Sequence, residues 1–183
     1  MTKTLPIAAL LLFTLACNSD STVATTDTTA ATPAVTEVAA TVAHTFAVKP
    51  TYSGAFEIGD YKQADIVVEL WKQYDDNTLD KGKDYFADTV TMLMADGWQY
   101  HGTRDSLLKL TKKSRSEYGT VKSVLVAIFP LKSTDQNQNW VSIYGNEYTT
   151  NKKNKVDSSA LQEAWRFNKD GKIDVMHQYR RKL

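Results

Sequence analysis

Apolar and polar positions follow two rhythms along this chain, and the rhythm changes near residue 119. Before that point the period is helical. Ala64, Val67, Val68, Trp71 and Tyr74 recur at three- and four-residue spacing behind Asp60 and Gln63, a pairing that reads as a capping box. Asp75-Asp76-Asn77 closes this first helix. A shorter second helix is expected over 79–87, with Tyr85 and Phe86 inward and Gly82 as its weak point. Thr89 to Met94 is β-branched or apolar and reads as a strand. Asp96-Gly97 signals a hairpin, and Trp98 to His101 is the return. A third helix is expected over 103–117, with Leu107, Leu108 and Leu110 buried and Gly119 at its C-terminal cap.

After Gly119 the period is two. Val121 to Pro130 is nearly continuous in apolar residues. Asn137 to Thr150 alternates through Trp140, Ser142, Tyr144, Asn146 and Tyr148. Ser159 to Phe167 and Ile173 to Arg180 follow, with polar turns at 152–158 and Asn168-Lys169-Asp170-Gly171. Consecutive strands joined by turns pair antiparallel, and helices grouped before them pack on one face. The expected class is α+β: three N-terminal helices on a curled, mainly antiparallel sheet, forming a cone with a mouth. Tyr144 and Tyr148 read as an outer sheet face buried in a dimer.

The first 54 residues follow neither rhythm. Met1 to Thr4 carries one positive charge, and Leu5 to Ala16 is almost wholly apolar. That is roughly 12 residues, too short to span a bilayer but the length of a secretory signal core. Small residues precede Cys17, the only cysteine in the chain. We read 1–17 as a bacterial lipoprotein signal ending at a lipidated Cys17, which anchors the chain to a membrane of the cell envelope, on its periplasmic or its outer side. Residues 18–54 are rich in Thr and Ala, with no Lys or Arg before Lys49. They read as a flexible tether spanning roughly 30–35 Å as a coil. Residues 55–183 then form one domain of ordinary size.

Charge narrows the partners. The chain holds 22 basic and 21 acidic residues, with no basic stripe, so no nucleic acid is expected. Three histidines without metal-ligand spacing predict no metal, and no phosphate loop or nucleophile turn suggests a cofactor or covalent catalysis.

The order of elements resembles the nuclear transport factor 2-like superfamily, in particular its SnoaL-like branch. The likeness is carried by Phe86-Ala87-Asp88-Thr89-Val90, by Gly102, and by Trp165-Arg166-Phe167-Asn168-Lys169-Asp170-Gly171-Lys172-Ile173, and it covers nearly all of 60–183. It implies a cone-shaped α+β fold, a deep pocket and frequent homodimers through the sheet. It does not imply one activity: members include ketosteroid isomerases, polyketide cyclases, dehydratases and non-catalytic binding domains.

The resemblance puts the isomerase branch's catalytic base at Met94, which cannot take a proton. Three titratable residues remain as catalytic candidates, none of them commanding. Asp96 shares a face with Met94 but belongs to a turn. His177 is in phase with Ile173, Val175 and Tyr179, and reads either as pointing into the cone or as bonded within the sheet or at a dimer face. Glu163 shares a face with Leu161, Trp165 and Phe167, and either has a pKa raised by burial or pairs with an arginine. If Glu163 and His177 face one another on adjacent strands, they make an acid/base pair. Trp71, Tyr74, Met94, Trp98, Trp165 and His177 are the expected pocket lining. The sequence therefore predicts a lipid-anchored domain that binds a small apolar ligand or a partner. The alternative is a SnoaL-like isomerase, cyclase or dehydratase.

Overall fold

The computed structural model describes residues 44–183. The expected signal, Cys17 and most of the expected tether lie outside the described residues. Strand β1 (Phe56–Ile58) precedes helix α1 (Tyr61–Asp75) and a short 3-10 helix (Leu79–Tyr85). Then come β2 (Phe86–Leu93), β3 (Gln99–Thr103), α2 (Arg104–Arg115), β4 (Tyr118–Ser133), β5 (Gln138–Asn151), β6 (Val156–Phe167) and β7 (Ile173–Lys182). The seven strands form one sheet in the order β1-β4-β5-β6-β7-β2-β3. Only β2 and β7 run parallel; the other pairs are antiparallel. The class is α+β as expected. The helices, however, are not a block at the start, because β1 precedes α1, and β2 and β3 separate α2 from the others. Among the described residues, no helix is long and apolar enough to cross a membrane.

Helix α1 begins where the pattern places it. The Asp60 carboxylate accepts the Lys62 backbone N–H at 2.9 Å, which satisfies one of the four unpaired donors of a helix start. Its buried stripe is Ala64, Val67, Leu70 and Gln73; Val68, expected inward, is exposed. The second helix is a tight 3-10 turn that ends at Tyr85, so buried Phe86 opens β2 instead of closing a helix. Gly82 is what lets this turn lie against α1. A Cβ there would come within 2.5 Å of Leu70 Cδ2 and 2.6 Å of Gln73 Oε1.

Helix α2 starts on Thr103, whose hydroxyl accepts the Ser106 N–H. Leu107 and Leu108 are buried, but Leu110 is exposed. The helix stops at Ser116, with Ser116 N–H bonded to the Lys112 carbonyl. Gly119 is not its cap; it lies within β4.

Two irregularities bend the long strands and decide which side chains face inward. On β4 the register slips between Leu125 and Ala127. On β7, Phe167 pairs with Ile173 but Arg166 pairs with Val175, leaving Asp174 as an extra residue. Each extra residue exchanges the two faces beyond it and increases the local twist. At the other end of the sheet, hydrogen bonds begin before position 55. Tyr52 Oη donates to Gln138 Oε1 at 2.7 Å, and Ser53 Oγ to Asp135 Oδ1 at 2.6 Å.

The C-terminal end of α1 is held by a buried arginine from α2. The Arg115 guanidinium donates to the Asp75 carbonyl at 2.7 Å, to the Tyr74 carbonyl at 2.8 Å and to the Tyr118 carbonyl at 3.4 Å. A cation suits the negative end of a helix dipole, and a planar fork reaches several carbonyls that a single ammonium cannot. The Asp75 carboxylate also accepts both the backbone N–H and the hydroxyl of Ser123, tying the same helix end to β4. Replacing Arg115 with Ala is expected to lower unfolding free energy by about 3 kcal/mol. Arg115→Lys should recover less than half of that loss, read from urea denaturation.

Candidate functional site

A cavity of about 530 Å³ opens between α1, α2, the β2–β3 hairpin and the inner face of β4–β7. Volumes of this order suit a small organic molecule. Its walls are mostly apolar and aromatic, with Leu70, Phe86, Met92, Leu107, Trp71 and Trp165 among them. Three methionines and several aromatics make a surface that adapts to shape while excluding water.

At the back of the cavity lies Glu163, on β6. Its Oε2 accepts the indole N–H of Trp71 at 2.7 Å and that of Trp165 at 3.0 Å. Its Oε1 accepts the side-chain amide of Gln178 at 2.8 Å. Glu163 is 4% exposed. Burial pushes its pKa above the ordinary carboxyl value, and the three donors pull against that rise without cancelling it. Trp71 reaches Glu163 only because position 145 on β5 is glycine. A Cβ there would meet the Trp71 ring at 2.5 Å and the Val124 carbonyl oxygen at 2.8 Å.

Toward the other end stand Glu147, Arg180 and Tyr74. Glu147 Oε1 lies 3.9 Å from Arg180 Nη2, beyond hydrogen-bond range. Arg180 instead donates through Nε to Ser159 Oγ at 2.6 Å. Burial raises the Glu147 pKa, and the Arg180 charge opposes the rise. Burial also pushes the Tyr74 phenol up, with the Glu147 charge the next cause.

Of the expected pocket residues, Trp71, Tyr74, Met94, Trp98 and Trp165 line the cavity, and so do the candidates Glu163 and Asp96. His177 does not. It pairs with Ala164 across the strands, whereas Glu163 pairs with Gln178. The β7 bulge puts Ile173 and Met176 on the buried side, so His177, in phase with Ile173 by simple counting, faces outward. There its ring meets Trp140 edge-on at 6.0 Å. Its pKa is held below the ordinary value by burial and then by the Arg166 charge. The Glu163–His177 acid/base pair is therefore not formed. Glu163 makes no arginine pair either; its partners are two indoles and an amide.

Met94 packs against the core. Asp96 acts in its turn, accepting the Trp98 N–H at 2.9 Å. His101 bonds Thr91 Oγ1 on the exposed side of the hairpin. Among the described residues no group of three or more side chains converges to hold a metal.

Gln178, Glu147 and Arg180 were not singled out from the sequence. For Glu147 a signal existed: if Tyr144 and Tyr148 face outward, the residues one place away, Gly145 and Glu147, face inward.

No family model and no curated protein sequence matches the chain. Solved structures do. An NTF2-like protein of unknown function from Exiguobacterium sp. 255-15 aligns with 17% identity, over 66% of this chain and 99% of its own, with a TM-score of 0.53. A putative SnoaL-like polyketide cyclase from Shewanella denitrificans OS-217 aligns with 9% identity, over 66% of this chain and 90% of its own, with a TM-score of 0.55. Another from Jannaschia sp. CCS1 aligns with 7% identity, over 65% and 85%, with a TM-score of 0.53. At these identities the likeness establishes a nuclear transport factor 2-like fold.

Glu163 makes its own test. Glu163→Ala leaves three N–H donors facing apolar space and should cost on the order of 3 kcal/mol. Glu163→Gln keeps the acceptor for both indoles, and a flipped Gln178 amide can offer its oxygen to the new NH₂ group, so a loss of under about 1 kcal/mol is expected. The pH dependence separates charge from shape. Because the folded pKa lies above the ordinary value of 4.5, the folded state binds the proton more readily than the unfolded chain. The stabilisation from this group is full below about 4.5 and is lost as pH rises through the folded pKa. Urea titrations across this range should therefore show Glu163→Gln gaining on the parent protein as pH rises. A constant difference would contradict the raised pKa.

Proposed function

We propose that the domain is a small-molecule-binding module, working without catalysis, whose cavity receives a ligand with an apolar body. The observation that carries this is the state of Glu163. The most deeply buried carboxyl of the cavity has both oxygens engaged by donors, and no acid/base partner stands beside it. A general base needs its lone pairs free to reach the substrate proton; three of the roughly four lone-pair sites of Glu163 are taken by donors of the cavity wall. Native mass spectrometry of the protein purified from its own host should show a bound molecule within the size the cavity allows. Protein that carries none, and whose tryptophan emission is unchanged by 1-octanol up to its solubility, would count against the proposal.

A second reading is an acid–base enzyme of the isomerase, cyclase or dehydratase kind acting on a small apolar substrate. It is favoured by Glu147, a cavity carboxyl with a raised pKa and no hydrogen bond, and by the solved structures described as putative polyketide cyclases. Release of a chemically altered molecule when the native complex is incubated would move the assignment there.

The proposal also places the module at a membrane of the bacterial cell envelope, held by a lipid on Cys17. Its support is the apolar run from Leu5 to Ala16, the small residues before Cys17, and the lack of any second cysteine for a disulfide. Two or three acyl chains anchor stably, at about 0.8 kcal/mol per buried methylene. Cys17→Ala should abolish labelling by radioactive palmitate and move the protein from the membrane fraction to the soluble fraction. Equal fractionation of both forms, without label, would remove the anchor from the proposal.

A further inference from the structure

Glu147 is the least satisfied group in the cavity. Its side chain is 14% exposed, yet among the described residues nothing donates a hydrogen bond to it. Arg180 donates through Nε to Ser159 Oγ, and its Nη2 is shared between Glu147 at 3.9 Å and Asp157 at 4.0 Å, a hydrogen bond to neither. The other carboxyls that line the cavity are accounted for. Glu163 accepts three bonds, Asp96 accepts one from its own turn, and Glu117 is exposed to water. The Glu147 oxygens are open to the cavity, and the fully buried unpaired side-chain atoms among the described residues are those of Gln63 and Gln73; a carboxylate so largely withdrawn from bulk water still gains from a donor.

What would satisfy it follows from the walls. Tyr74 and Leu161 line the cavity with Glu147, and Trp71 lies across Gly145, two residues along the same strand. Acidic side chains outnumber basic ones among the lining residues by four to two. An anionic head group would meet the Glu147 charge, which Arg180 at 3.9 Å offsets only in part. A protonated amine would meet a carboxylate acceptor and aromatic faces, both of which favour a cation in a site shielded from water. We propose that the cavity selects amphipathic amines, with the ammonium group donating to Glu147 and the apolar body lying toward Trp71 and Trp165. This rests on the ligand-binding reading of the cavity and adds the chemical class of the ligand and the residue that selects it.

Three probes of one chain length test it on the full chain at neutral pH: n-octylamine, 1-octanol and octanoate, each titrated against tryptophan emission. The parent protein should bind octylamine roughly tenfold or more tightly than octanol, with octanoate weakest, as expected for a charge pair in a desolvated site. Glu147→Gln, which keeps the shape and removes the charge, should lose the amine preference, so that octylamine and octanol bind alike. Equal affinity for amine and alcohol in the parent, or a preference that survives in Glu147→Gln, overturns the amine assignment while leaving the cavity as a binding site. Failure of all three probes to bind overturns both. The ranking on the parent protein decides the matter even if the variant does not fold.

Discussion

The carboxylate of Glu163 is the point on which this structure turns. A charge buried away from water costs several kcal/mol unless it is fully hydrogen-bonded. Here the donors come from three places: Trp71 on α1, Trp165 on Glu163's own strand and Gln178 on β7. Meeting that one requirement links α1, β6 and β7 through a single side chain, beside the Arg115 and Asp75 contacts that hold the far end of α1. Gly145 is the complementary concession, a gap in β5 into which the Trp71 ring settles. The same indoles form cavity wall, so the chemistry of the buried acid and the shape of the pocket are one arrangement.

Much of this architecture is legible in the residues. The two rhythms mark α1, α2 and the four long strands to within a few positions, because amphipathic period is a local property. What local counting cannot see is a bulge. The extra residue at Asp174 depends on how β7 registers against β6, and it moves His177 from the predicted inner face to the outer one. The slip on β4 is of the same kind. Edge strand β1 has three residues and no pattern of its own; it exists because β4 offers it a free edge. Val68 and Leu110 show the limit of a stripe argument: both fit a helical repeat, yet each stands at its margin, where packing alone decides exposure.

The aromatic lining was foreseeable from composition, the polar fittings less so. Trp71, Trp98 and Trp165 stand out in any reading. Glu147 and Gln178 look like ordinary strand polar residues until the inward face is known. The solved structures that share the fold bring no residue-level assignment at identities of 17% and below. Any selectivity of the pocket would therefore be carried by the few polar side chains inside it, which the fold's own geometry leaves free to vary.

The indole–carboxylate contact between Trp71 and Glu163 joins residues 92 positions apart. Closing a loop of that length carries an entropy cost, which the contact offsets only with the rest of the fold holding its two sides together. The wall of the pocket is thus a long-range surface, made jointly by α1, β6 and β7. Any ligand that prefers the finished cavity binds only the completed fold, and acts on the folding equilibrium as well as being held by it.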